Sequence, residues 1–245
     1  MLSPSPPSPS RRERRKQETL SDIKATALRQ LAAAGPAGIS IRAIARDLDM
    51  TASAVHYYFP GRRALIDALT IDGFASLAAA LRSAYGQASE DSPLERWLAV
   101  ARAHRAWALR RPAEYLLIYG HTGGTAHRVN EPAGRAMGQV VAVLFAVMRD
   151  YVRHGDIDTV RIEAGTPPAL RAQFAAWRAS DSGIDDLPDG ALAACMLCYS
   201  QLHGAIILEL IGHLPAELAD HDTLFDLQMR RTADALHTPD RAPPR

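Results

Sequence analysis

From Thr19 the apolar residues Leu20, Ile23, Ala27, Leu28 and Leu31 fall mostly three or four positions apart, which predicts one buried face of a helix. Gly35-Pro36 should end it, because glycine takes the left-handed cap and proline cannot extend the turn. Ser40 is placed to cap a short second helix with Ile41, Ile44, Ala45 and Leu48 inward and Arg42, Arg46 and Asp47 outward. Asp49-Met50 predicts a tight turn, since aspartate tolerates the left-handed conformation. Thr51 caps a third short helix that Pro60-Gly61 ends, and a long fourth helix carries Leu65, Leu69 and Leu77 inward.

Beyond Gly86 the periodic segments lengthen. They predict helices near 93–110, 112–121, 131–153, 167–180, 189–213 and 217–236, with 155–166 as a loop. Alanine and leucine dominate and no run alternates with period two, so the expected fold class is all-α. Its plan is an N-terminal three-helix helix-turn-helix domain feeding a larger helical bundle. The boundaries read as a disordered basic arm at 1–18, the helix-turn-helix domain at 19–63, the bundle at 64–236 and a flexible tail at 237–245. The longest apolar run, Val140 to Met148, is far short of a bilayer span, and no membrane partner is expected.

Charge divides the 245 residues unevenly. Residues 1–63 carry a net +6 and the remainder a net −5, which the whole-chain value of +1 conceals. A basic front on an acidic body suggests that one end meets a polyanion. The start lacks an apolar stretch after its charges, so it does not read as a secretory signal. Two cysteines make no disulfide framework, and a reduced, cytoplasmic protein is expected.

The stretch TASAVHYYFPGRR, Thr51 to Arg63, brings small residues, hydrogen-bonding rings and cations to one helix junction. Ala54, Val55 and Phe59 are expected to face the core, and Ala52, Ser53, His56 and Tyr57 to face outward. Small side chains at 52 and 53 would let the helix N-terminus approach phosphate, while His56 and Tyr57 extend toward bases or phosphate oxygens. Arg62 sits in the first turn of the fourth helix, where the dipole disfavours it and an external anion would relieve it. Two short helices around a tight turn describe a helix-turn-helix. The expected DNA contacts are therefore Arg11, Arg12, Arg14, Arg15, Ser40, Arg42, Thr51, Ala52, Ser53, His56, Tyr57 and Arg62.

Residues 23–69 as an ordered pattern resemble the DNA-binding domain of the TetR family of bacterial transcriptional regulators. The resemblance implies a homodimer whose third helix is the recognition helix, and a variable C-terminal domain that usually binds a small molecule. The chain departs from the family's usual glycines at Asp49 and Ser53, from its tyrosine at His56 and from its lysine at Arg62. Cys198 to Leu214 resembles a C-terminal domain type named for a Trp-His-Gly signature, through His203-Gly204, Leu208, Glu209 and Gly212, with Tyr199 in the tryptophan's place.

Helix 189–213 is apolar on more than one side, so it needs several partners. Met196, His203, Ile206, Ile207 and Leu210 are the expected dimer contacts, with 167–180 or 131–153 completing a four-helix seam. Trp97, His104, Trp107, Tyr115, Tyr119, Phe145, Met148 and Tyr199 are the candidates for lining an effector site, although a solid core would use the same residues. Cys195 and Cys198 form C-x-x-C inside a helix and read as core rather than as a metal or redox site. HTGG at 121–124 reads as a helix-ending turn. No catalytic constellation, metal site or cofactor is expected. The reading is a DNA-binding regulator, a repressor released by a small apolar or aromatic effector. The alternative is an effector-independent DNA-binding dimer.

Overall fold

In the computed structural model, residues 10–120, 132–179 and 183–237 are described. They form eleven α-helices: α1 (Arg11–Ala34), α2 (Ile41–Asp47), α3 (Ala52–Tyr58), α4 (Arg62–Gln87), α5 (Pro93–Arg110), α6 (Pro112–Gly120), α7 (Pro132–His154), α8 (Thr159–Ala164), α9 (Pro168–Arg178), α10 (Asp189–Leu210) and α11 (His221–Asp234). A single 3-10 turn, Pro36–Gly38, follows α1. No strand occurs among the described residues, as the all-α expectation requires. The HTGG turn at 121–124 and the residues after 237 lie outside them.

Local chemistry sets the helix starts. Ser40 accepts the Ala43 N–H at 3.3 Å and Thr51 accepts the Ala54 N–H at 3.1 Å, each satisfying a donor that the helix cannot. Gly35 ends α1 at φ 65°, its N–H returning to the Leu31 carbonyl. Two expected boundaries are corrected. α1 begins at Arg11 rather than Thr19, because Ser10 accepts the Glu13 N–H at 3.2 Å while Glu13 accepts the Ser10 N–H at 2.8 Å. The basic run at 11–16 is thus helical, not a disordered arm. The expected loop at 155–166 contains α8, capped by Asp158 through the Arg161 N–H.

Two compact units result. Of the described residues, unit one comprises 10–70 with 113–120, and unit two comprises 71–112 with 132–179 and 183–237. In unit one Ile23, Ala27, Leu31, Ile44, Val55, Phe59, Leu65 and Leu69 make a single apolar core that α6 joins through Leu117. Burying each larger aliphatic side chain stabilises the unit by roughly 1.5–3 kcal/mol. The core fixes α3 by its Val55 side and leaves its other side in solvent.

Unit two packs α5, α7, α10 and α11 around Leu98, Val140, Leu144, Leu192, Leu202, Ile206 and Met229. By length and composition α4 and α10 could each cross a membrane, which a search for one unbroken apolar run overlooks. Here they bury Leu65, Leu69, Phe74, Leu77 and Leu81 of α4, and Leu192, Leu202 and Ile206 of α10. α8 lies against the start of α10, where a Cβ on Gly190 would come within 2.0 Å of the Thr159 carbonyl oxygen. Glycine to alanine inside a helix ordinarily gains about 1 kcal/mol. At Gly190 the sign should reverse, with Gly190→Ala losing about 1–3 kcal/mol in a urea titration because backbone must move.

Candidate functional site

The two short helices meet at Asp49, whose φ of 52° places it in the expected left-handed turn. The Met50 N–H donates to the Ala45 carbonyl at 2.8 Å and locks the reversal. Beyond it α3 buries Val55, its C-cap Phe59 is buried too, and Ser53, His56 and Tyr57 are exposed. Tyr57 is 74% exposed, with its ring edge-to-face against Tyr58 at 5.3 Å. A large aromatic left in water next to a hydrogen-bonding imidazole suits contact with another molecule better than it suits the core. The Ser53 and Thr51 hydroxyls lie 3.0 Å apart. Ser40 and Arg42 are exposed at the start of α2, and the Ser40 N–H donates to Gln30 Oε1 at 3.0 Å.

Three side chains in and around this helix differ from expectation. Ala52 is half-buried and packs on the core, because the α3 N-terminus turns one side of its first residue inward. Ala54, expected inside, is also only half-buried. Arg62 needs no external anion: its Nη2 donates to the Pro36 carbonyl oxygen at 2.6 Å, tying the start of α4 to the end of α1. Arg63 pairs with Asp67 at 2.9 Å one turn on. Arg11, Arg12 and Arg15 line an open groove with Tyr57, whereas Arg14 does not.

The bundle interior is nearly solid. Trp97, Met148 and Tyr199 line a cavity of about 10 Å³ together with Tyr151, Leu144 and Cys198. That is room for roughly one water molecule. The other expected lining residues are elsewhere. Phe145 packs on Trp177, Trp107 donates to Ser76 Oγ at 3.1 Å, and His104 stacks edge-to-face on His203 at 5.0 Å. Tyr115 and Tyr119 belong to unit one and stack on each other at 4.9 Å. Tyr151, absent from the sequence-based set, is buried, and its hydroxyl has no hydrogen-bond partner among the described residues. Both cysteines are buried, and burial pushes the Cys198 thiol up to about 12.

His104 and His203 give the bundle a pH dependence. Burial, with His203 nearby, holds His104 well below the ordinary imidazole value, and burial brings His203 down to about 4. Both stay neutral when folded, whereas an unfolded chain takes up protons below about 6.5. Stability contributed here is therefore full above that pH and lost as pH falls toward 4. Urea unfolding at pH 5 should give a free energy lower than at pH 7.5 by about 2 kcal/mol from His203, with His104 acting in the same direction. His104→Phe should flatten part of that slope; an unchanged slope in the variant would assign it to other groups.

Several polar groups unite residues that sequence spacing could not. Arg96 donates to Asp150 Oδ2 at 2.7 Å, and Tyr85 donates to the same oxygen at 2.8 Å. Arg105 holds Glu209 with two donors at 2.6 and 2.7 Å, and its third reaches Asp222 at 2.6 Å. Glu209, noticed in the sequence only as part of a signature, thus joins α5, α10 and α11.

The expected dimer contacts are partly corrected. Ile206 is fully buried in the chain's own core, whereas Met196, His203, Ile207 and Leu210 are part-exposed. The apolar side chains that α10 and its C-cap present to solvent are Leu197, Leu208 and Ile211, on one stripe with Gln201 and Gly204. α7 buries ten of its 23 residues, whereas α9 buries only Phe174 and exposes Leu170 beside several alanines.

A helix-turn-helix with an exposed histidine and tyrosine on its second helix, followed in the chain by a helical bundle, is an arrangement found in DNA-binding transcriptional regulators. The family described as "Bacterial regulatory proteins, tetR family" matches residues 23–69, and "Tetracyclin repressor-like, C-terminal domain" matches 97–232. The chain is 33% identical over 203 residues to HTH-type transcriptional regulator Rv1816 of Mycobacterium tuberculosis, covering 82% of this chain and 85% of that one. Its fold is similar to a solved regulatory protein designated SCO4313, with a TM-score of 0.72 and 28% identity over 92% of this chain and 98% of that one. A tetR-family regulatory protein from Rhodococcus RHA1 shares the fold at a TM-score of 0.62 and 16% identity, over 91% of this chain and 99% of that one. The chain belongs to the TetR family of DNA-binding transcriptional regulators, and it is not an enzyme.

Proposed function

We propose that the protein is a cytoplasmic homodimeric repressor that lays α3 of each protomer in successive major grooves of a double-stranded operator. The observation that carries this is the exposed His56–Tyr57 edge on a helix whose opposite side is locked into the unit-one core. His56→Ala and Tyr57→Ala should each weaken operator binding by about 1–3 kcal/mol, because each removes contacts to bases or phosphates. Circular dichroism should be unchanged, since neither ring is in the core. Unaltered affinity in both variants, measured by fluorescence anisotropy on a selected operator, would move the interface away from α3.

The second protomer is proposed to pack on the stripe Leu197, Gln201, Gly204, Leu208 and Ile211, with α9 of each copy completing four helices. Exposed Leu197, Leu208 and Ile211 on a stripe whose positions alternate in spacing by four and three, with Gly204 leaving room for close approach, support this seam.

For the effector, the proposed site is the cavity between Trp97, Met148, Tyr151 and Tyr199. Its lining carries no formal charge and offers the Tyr151 hydroxyl as a polar handle, so a small neutral apolar or aromatic molecule fits best. A cavity of about 10 Å³ has to expand before such a molecule enters, and this favours a second reading in which the bundle only dimerises. Operator release by a panel of neutral aromatic compounds, weakened by Tyr151→Phe, supports the first reading. Release by none of them supports the second. A compound acts as inducer only if it binds the DNA-free conformation more tightly.

A further inference from the structure

We infer that the first two turns of α1 form a sequence-neutral phosphate rail, a rigid cationic helix that grips the sugar-phosphate backbone beside α3. This rests on the DNA-binding reading of α3 and concerns surface outside it. Arg11, Arg12, Arg15 and Lys16, followed by Thr19, fall within about 140° of one helical face. With Tyr57 they border an open groove of about 1030 Å³. Glu13 lies there too, but its carboxylate accepts the Ser10 N–H at 2.8 Å, and these Ser10 hydrogen bonds hold its pKa below the usual carboxylate range.

The charge placement is unfavourable for the isolated helix. Three of its first four residues are arginine, at the end where the backbone dipole favours anions. A bound polyanion removes that conflict, and the groove opens next to the ring already proposed to meet DNA.

Helicity decides what the cations can read. A helix with side chains is about 10–12 Å across, too wide for a minor groove of about 6 Å. The major groove beside it is taken by α3, so phosphates remain. Arg11 to Lys16 rises about 7.5 Å, and one strand offers a phosphate every 3.4 Å or so, which makes about two contacts.

The test uses the full chain and fluorescein-labelled 30-bp duplexes, one A·T-rich and one G·C-rich, titrated over a range of KCl concentrations. Compared with the parent, a variant combining Arg11→Ala, Arg12→Ala, Arg15→Ala and Lys16→Ala should show a log–log salt slope shallower by about two. Its loss of affinity should be equal on both duplexes. Arg14→Ala, at a position about 60° outside that arc and not lining the groove, should leave the slope where it was. Alanine favours the helix and relieves the dipole conflict, so the melting temperature of the combined variant should match or exceed the parent's.

An unchanged slope in the combined variant overturns the rail. So does an Arg14→Ala effect as large per charge as the others, which describes a flexible arm, or a loss confined to the A·T-rich duplex, which describes minor-groove reading. A parent that binds neither duplex in low salt would fail the reading of α3 itself, and the rail with it.

Discussion

Asp150→Ala is expected to destabilise the bundle by about 3–5 kcal/mol, enough to leave much of the protein unfolded at 37 °C. Asp150 has no solvent exposure, and Arg96 has almost none. The carboxylate accepts Arg96 at 2.7 Å and Tyr85 at 2.8 Å on one oxygen, and Arg153 approaches the other at 3.0 Å. Hydrogen bonding to Asp150 is the largest influence holding the Arg96 guanidinium charged, so truncation leaves a buried cation whose remaining carboxylate neighbour is the exposed Glu90 at 3.4 Å. Most of the loss comes from that stranded charge rather than from the attraction itself. Replacing both members, Arg96→Met with Asp150→Leu, should therefore recover a large part of what Asp150→Ala loses. Urea denaturation of the three proteins decides it. A double variant as unstable as the single one would place the loss in packing.

A charge in the exposed stripe of α10 is expected to separate the protomers. Leu208 is 41% exposed in the single chain, a position a charged side chain would occupy at little cost to the fold. In the proposed seam the same position is buried against its symmetry mate, and Leu208→Glu would oppose two carboxylates across the two-fold axis. Light scattering should report a monomer, with circular dichroism unchanged. Operator affinity should fall by about 10²–10⁴-fold, because two tethered recognition helices become two independent weak ones. A dimeric Leu208→Glu protein would move the seam to another face.

The helix-turn-helix was readable because its signals are local. Ser40, Gly35, Asp49 and Thr51 each act on backbone within a few residues, and the core leucines and isoleucines repeat within single helices. The early start of α1 was legible too, since Ser10 and Glu13 have capping-box spacing. The proline-rich tail and the charge run drew the boundary toward Thr19 instead. Arg62 was misjudged because its partner, the Pro36 carbonyl, is 26 residues away and is a backbone atom with no residue type to betray it.

The bundle was less legible for a related reason. An α10 that is apolar on more than one side cannot say which side meets its own core, so Ile206 was assigned to the dimer seam and Leu208 was read only as part of a signature. Tryptophans and tyrosines fill a core as readily as they line a cavity. Only the packing of α5, α7, α10 and α11 shows that Trp97 and Tyr199 share a cavity with Tyr151 whereas Trp107 does not.

Hydroxyl-radical footprinting of the protein on a fragment selected from random duplex DNA is the most direct measurement of paired docking through α3. The expected pattern is two protected patches on one side of the duplex, centred about 34–36 Å or a multiple apart, both lost with Tyr57→Ala. A single patch, or two that persist undiminished in that variant, would contradict it.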